Sequence, residues 1–342
     1  MRDSGWTLVA VFLLLVVGAG CAGKSPELSS GIIYIRQENY EKAAEILQKA
    51  VDMEPENWEA HYQLAIAYME LDRYRDAHPE FSMAKDLAAG KIEVVEQKQY
   101  AYWYDHFMPG VTKLKGKNFE DARRLFLEAI EIDPERTGAY SNLAFAYHKL
   151  GKFEKSLETY QKVIEIEPEH VNALLSIADL LNELKRYEEA NRILEKTLKI
   201  DPSQTDCLLA MAENCKEMDD MEGALSAYLR AAEVMPDDGS ILFGIAVIYY
   251  KNKDFGEAST FFGKAAGTDK PGGGLYMDAM FNRAQMQVRL EDYEAAKETI
   301  LNMIEIKDNV AEYWDLLGRI YFQLGDQEKG MEAFERAKAL EG

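Results

Sequence analysis

By type, the residues best suited to chemistry are a glycine-lysine-serine stretch near the start, five histidines and three cysteines. Gly18 to Ser25 reads Gly-Ala-Gly-Cys-Ala-Gly-Lys-Ser after an apolar run, the pattern of a phosphate-cradling loop. Such a loop works only where the run is a buried parallel strand and a helix N-terminus faces the phosphates. Pro26 follows at once, and no alternating strand pattern supplies a sheet, so nucleotide binding is not expected. His61, His78, His106, His148 and His170 show no paired metal-ligand spacing. Cys207 and Cys215 lie eight residues apart, a helical rise of about 12 Å that no disulfide spans. The abundant carboxylates read as solvated faces. These residues support neither catalysis nor a metal or other cofactor.

Composition narrows the partners. The 342 residues include 60 acidic and 39 basic side chains, a formal charge of -21, which repels a phosphate backbone and excludes nucleic acid as a partner. A hydrophobic fraction of 47% supplies a core, and the charges are too interspersed for a disordered acidic chain. Proline and glycine recur at regular stations among Ala, Leu, Glu and Lys, a helix-rich composition.

The first twenty residues stand apart. Arg2 precedes an apolar run from Thr7 to Gly20, too short to span a bilayer and suited to the core of a signal peptide. Val17-Gly18-Ala19-Gly20-Cys21 resembles the lipobox of bacterial lipoproteins, in which the cysteine becomes the acylated first residue. That resemblance implies lipidation at Cys21. The alternatives are an ordinary cleaved signal and an uncleaved anchor. Ala22 and Gly23 lack the Asp that retains such proteins at the inner membrane, so the resemblance implies the periplasmic face of the outer membrane.

From Lys24 onward one pattern repeats. Pro134, Pro168, Pro202 and Pro236 recur every thirty-four residues. Taking this proline as position 32 sets a register in which nine repeats begin at 24, 58, 103, 137, 171, 205, 239, 277 and 311. Position 8 is then always Ala or Gly, from Gly31 to Gly318, and position 20 is always Ala, Ser or Gly, from Ala43 to Gly330. Two antiparallel helices approach closely only where such small residues admit the facing surface. Large residues at positions 7, 11 and 17 fill the space between them, and the proline ends the second helix. Segments 92–102 and 273–276 are insertions, and Pro109 inside a first helix predicts a kink.

This register resembles the tetratricopeptide repeat over Lys24 to Gly342. The resemblance implies an all-α, right-handed superhelical solenoid of about nine helix-turn-helix repeats. It divides the chain into a signal peptide at 1–20, a lipidated tether at 21–26, repeats one to seven at 27–272 and repeats eight and nine at 273–342. The glycines at 272–274 predict a pivot before the last two repeats. In this family positions 2, 5, 9, 12 and 13 of each first helix line a concave groove. Tyr62, Ile66, Phe107, Phe145, Phe243, Tyr250, Phe281 and Phe322 fall there or beside it, with Asn142, Asn172, Asp179 and Asn182 between them. Spaced aromatics with polar interruptions suit an extended peptide or an amphipathic helix. The clamp that grips heat-shock-chaperone C-termini is absent, since Phe107 and Val111, or Phe243 and Val247, stand where Lys and Asn are required. The aromatic segment around Trp103 and Tyr104 is a candidate hot spot, with a structural cap as its alternative.

The expected function is therefore a scaffold for protein or peptide partners, held to the membrane by a lipid, with neither nucleic acid nor a small-molecule substrate. Pilus, secretin and export machinery are the expected settings. A secreted adaptor without lipid, or an accessory subunit of an envelope protease or polysaccharide-export complex, are the alternatives. Radiolabelled palmitate is expected on the wild-type protein in a bacterial host and to vanish in Cys21→Ala; equal labelling of both would refute acylation at Cys21.

Overall fold

A computed structural model describes residues 24–341, and all regular structure among them is helical. Cys21 and the signal segment lie outside the described residues. The helices are α1 (Pro26–Arg36), α2 (Tyr40–Met53), α3 (Trp58–Met69), α4 (Tyr74–Leu87), α5 (Ile92–Lys115), α6 (Phe119–Ile132), α7 (Thr137–Lys149), α8 (Phe153–Ile166) and α9 (Val171–Glu183). They continue as α10 (Tyr187–Ile200), α11 (Thr205–Glu217), α12 (Met221–Val234), α13 (Gly239–Lys251), α14 (Phe255–Ala266), α15 (Gly274–Arg289), α16 (Tyr293–Ile306), α17 (Ala311–Gln323) and α18 (Gln327–Glu341). Odd and even helices pair as the hairpins of the nine repeats. The chain forms two compact units, α1–α8 and α9–α18, dividing after Ile166.

The small positions hold each hairpin closed. All eighteen residues at positions 8 and 20 are buried. A Cβ built on Gly31 would meet Leu47 at 2.4 Å, and on Gly110 or Gly318 it would meet Phe126 or Phe334 at 2.7 Å. Those three side chains all occupy position 24 of the facing helix. Where position 20 is Ser156, its hydroxyl donates 2.7 Å to the carbonyl of Ala144 at position 8, so the polar group is satisfied at the point of closest approach.

Every hairpin turns on one left-handed residue. Glu38, Asp72, Lys117, Gly151, Lys185, Asp219, Lys253, Glu291 and Gly325 all stand at position 15, with φ between 56° and 83°. At each, the following N–H donates five residues back, as from Asn39 to Tyr34 at 3.0 Å or from Asp254 to Tyr249 at 2.9 Å. This is the hydrogen bond of a Schellman helix end. Where position 16 is Asp or Asn, the same residue then caps the second helix, as through the carboxylates of Asp220, Asp254 and Asp292 or the amides of Asn39 and Asn118. One residue thus ends a helix while its neighbour starts the next.

Three expectations gain detail in the structure. Segment 92–102, an insertion in the repeat register, is helical. It forms the first three turns of α5, a single 24-residue helix that runs through Pro109 without ending. A helix does begin directly after Ser25, whose hydroxyl caps it by accepting from the Leu28 N–H at 3.3 Å, and Pro26 occupies its first turn, where no N–H is needed. The glycines at 272–274 lie beside a continuous hydrophobic cluster joining Leu242 and Phe262 to Met277, Ile300 and Ala333. The expected pivot would have to break it.

Only two of the nine position 15 residues are glycine, which sets up opposite substitutions. Gly151→Ala is expected to cost roughly 1 kcal/mol, whereas Lys185→Gly is expected to gain up to about 1 kcal/mol. Denaturant unfolding of both variants checks the signs.

Candidate inner binding face

The inward positions of the first helices separate into two kinds. Aromatics at position 5 lean on the second helix of their own hairpin or on the first helix of the next. Tyr62 lies 6.4 Å from Phe81, Phe107 lies 5.7 Å from Phe126, and Phe243 lies 5.1 Å from Phe262. Phe281 lies 5.3 Å from Tyr313 of the following hairpin. These rings are half-buried and serve the core with one face. Ile66, at position 9, is also half-buried. Phe145 at position 9, with Tyr250 and Phe322 at position 12, are 39%, 40% and 38% exposed. With Tyr104 at position 2, 43% exposed, they are the aromatic side chains of inward positions most open to a ligand.

Polar residues lie between them. Asn142 donates to the carbonyl of Gly138 at 2.8 Å, within its own helix. Asn172 and Asp179 are exposed, and Asn182 is half-buried with a side-chain oxygen that is fully covered and lacks a hydrogen-bond partner. The hydroxyl of Ser141, another inward position, is in the same condition. Burial pushes the Glu213 carboxyl upward, but hydrogen bonds from Lys216 at 2.8 Å and Tyr228 at 2.8 Å outweigh it and hold the group below the ordinary carboxylate range.

In the second unit, α15 and α17 frame a cleft of about 420 Å³. Phe281, Val288 and Leu316 supply apolar surface, Arg289 and Arg319 bring positive charge, and Glu312 and Asp315 bring negative charge. The lining residues fall at positions 5, 9, 12 and 13 of the eighth repeat and 2, 5, 6 and 9 of the ninth. Sequence register identified Phe281 here. Arg289 also stands at a groove position, 13, but was not singled out, because a single charged residue at the end of a helix looks like ordinary dipole compensation.

The candidate hot spot divides. Trp103 is only 7% exposed, stacked 4.3 Å from Phe107 and 5.8 Å from Tyr100, and it belongs to the hydrophobic core of the first unit. The Arg136 guanidinium lies over both Tyr100 and Trp103, at 4.8 and 5.4 Å. Tyr104 is 43% exposed and stands on the open side of this stack.

Histidines and cysteines have structural work. Both ring nitrogens of His61 face oxygen atoms, Glu80 at 2.6 Å and the Pro55 carbonyl at 2.9 Å. His106 bridges the Tyr102 carbonyl and the Tyr74 hydroxyl, and His170 accepts from the Ala173 N–H to cap α9. Cys207 and Cys215 are buried free thiols. Among the described residues no group of His, Cys, Asp and Glu is placed to hold a metal ion, and no helix is long and apolar enough to cross a membrane.

Within each unit, helical hairpins that contact their neighbours and show a row of inward side chains define an α-solenoid interaction scaffold. Tetratricopeptide repeat models match residues 34–93, 135–203, 216–274 and 311–341, together more than half of the sequence. The chain belongs to the tetratricopeptide repeat family. A TPR repeat-containing protein of Methanocaldococcus jannaschii is 26% identical over 121 residues, which is 34% of this chain and 21% of that protein. The BBSome complex member BBS4 homolog of Drosophila melanogaster is 27% identical over 118 residues, 34% of this chain and 24% of that protein. This chain thus spans less than a quarter of the length of these curated relatives. Among solved structures, pilF of Pseudomonas aeruginosa is 18% identical with a TM-score of 0.41, covering 65% of this chain and 99% of its own. YrrB, described as a TPR protein with an unusual peptide-binding site, is 22% identical with a TM-score of 0.42, covering 54% and 92%.

Burial makes the two thiols inert: it pushes Cys207 up to about 11 and raises Cys215 as well. With Cys21 replaced by Ala, the folded protein at pH 8 is expected to leave both unreacted with a maleimide. Labelling is expected within minutes once guanidinium unfolds it, and fast native labelling would contradict the burial.

Proposed function

We propose that this protein is a membrane-anchored adaptor of the bacterial envelope, tethered through an acylated Cys21 and recruiting or assembling envelope proteins on the inner face of its repeats. One observation carries the binding face: the separate exposed aromatics Phe145, Tyr250 and Phe322 at inward positions of first helices. Aromatics left in water have a hydration cost that a partner removes, and they concentrate binding energy where they are buried. The lipobox-like sequence supports the anchor, and the short stretch from Cys21 to α1 at Pro26 would hold the first hairpin within about 10–20 Å of the membrane. A partner in a pilus, secretin or export assembly suits such a placement.

Photo-crosslinking in cells tests the face. A benzophenone side chain placed at Phe145 or Tyr250 is expected to capture one common partner, while the same group at the outward Lys162 or Glu298 captures none of it. Capture of that partner only from the outward positions would overturn the inner-face reading.

A further inference from the structure

The loops that join one hairpin to the next serve as controls for one another. Eight of them lie among the described residues, and seven carry at least one Asp or Glu, as from Glu54 to Asn57 or from Asp133 to Arg136. The exception runs from Ala88 to Lys91, between α4 and α5, where Lys91 is the sole charge. Gly90 takes φ 77° there, and a Cβ built on it would meet nothing within 4 Å. Ile92 and Val94 follow in the first turn of α5, 45% and 49% exposed, while Val95 is buried in the core. Loop and helix start together project a small apolar tip into solvent.

The described chain begins at the same edge. Lys24 forms an ion pair with Glu59 in the first turn of α3. The neighbouring Trp58 is half-buried, and the Lys91 ammonium lies over its ring at 5.1 Å. We propose that this tip, Lys91, Ile92 and Val94 with Trp58 beside them, rests on the surface of the bilayer that holds the acylated Cys21. This inference rests on the anchor in the reading above. Only Ala22 and Gly23 separate Cys21 from Lys24, so an extended chain spans about 11 Å at most between them. An edge tethered that closely meets the lipid headgroups. Ile92 and Val94 gain by leaving water there, and the Trp58 ring suits the boundary between membrane and water. Charge selects the lipid. Glu54 and Glu56 in the adjacent loop, with Glu93 and Glu96 on α5, repel an anionic surface, so the bilayer that fits is zwitterionic. The anchor alone would let the first unit swing about one point, and the tip supplies a second.

The test uses the chain from Cys21 to Gly342, made without its signal peptide. Cys207 and Cys215 are buried, so a maleimide bearing one tetradecyl chain attaches at Cys21. A single chain of that kind binds membranes only marginally and reversibly, which leaves the share of the tip measurable. Flotation with vesicles of phosphatidylcholine and phosphatidylethanolamine reads the partitioning. The Ile92→Ser, Val94→Ser double variant is expected to partition about tenfold more weakly than the wild type. Met235→Ser, which removes a 43% exposed side chain from another loop, is expected to change nothing. The fluorescence added by Ile92→Trp is expected to be quenched by lipids brominated near the glycerol end of their chains. Circular dichroism melting of each variant provides the folding control. Equal partitioning of the double variant and the wild type would overturn the tip contact, while palmitate labelling in cells decides the anchor separately. A benzophenone at Ile92 that captures a protein instead of lipid in cells would overturn the bilayer as the occupant.

Discussion

Everything in this molecule depends on how closely two helices can approach within a hairpin. Positions 8 and 20 carry no side chain larger than Ser156, and at Gly31, Gly110 and Gly318 a single added carbon would collide with the position 24 residue. Dispersion falls off steeply with separation, so a gap of even an ångström would forfeit much of the contact between facing helices. Close approach also fixes direction. Side chains at positions 7, 11 and 17 are forced into the seam, and those at 9 and 12 are forced out of it. The face available to a partner is what the seam leaves over.

That division explains why the inner face mixes rigid and free aromatics. A position 5 ring braced on Phe81, Phe126 or Phe262 is pre-set in orientation, so little side-chain entropy remains to be lost when a ligand covers it. A position 12 ring such as Phe322 contributes its whole exposed face, although it too rests on Phe334 at 5.6 Å.

Much of the fold was legible because close packing writes itself into residue size. The eighteen small residues and the recurring proline fixed nine hairpins and their boundaries before any coordinates. The turns were less legible. Seven of the nine left-handed residues are Glu, Asp or Lys, types that do not announce a positive φ, although the Asn or Asp at position 16 was a readable cap signal. The segment at 92–102 falls outside the register, so its helical state was not legible from the repeat; that state rests on Val95, Gln99 and Trp103, spaced by four and all buried. The site was legible only in part. Register could place Phe281 and Tyr250 on the inner face, but that Phe281 leans on Tyr313 of the next hairpin is a fact of three dimensions.

The long helix α5 gives the first unit an uneven mechanical character. Most neighbouring hairpins meet along one junction, so a pull along the stack could peel them one at a time. Helix α5 is different, since its early turns touch both sides: the buried Gln99 amide donates 2.9 Å to the Ile132 carbonyl of α6 and lies 3.5 Å from a ring nitrogen of His78 in α4. The second and third repeats are thereby clasped together. Under tension such a stack yields in single steps until it reaches the clasp, and there a larger piece must let go at once.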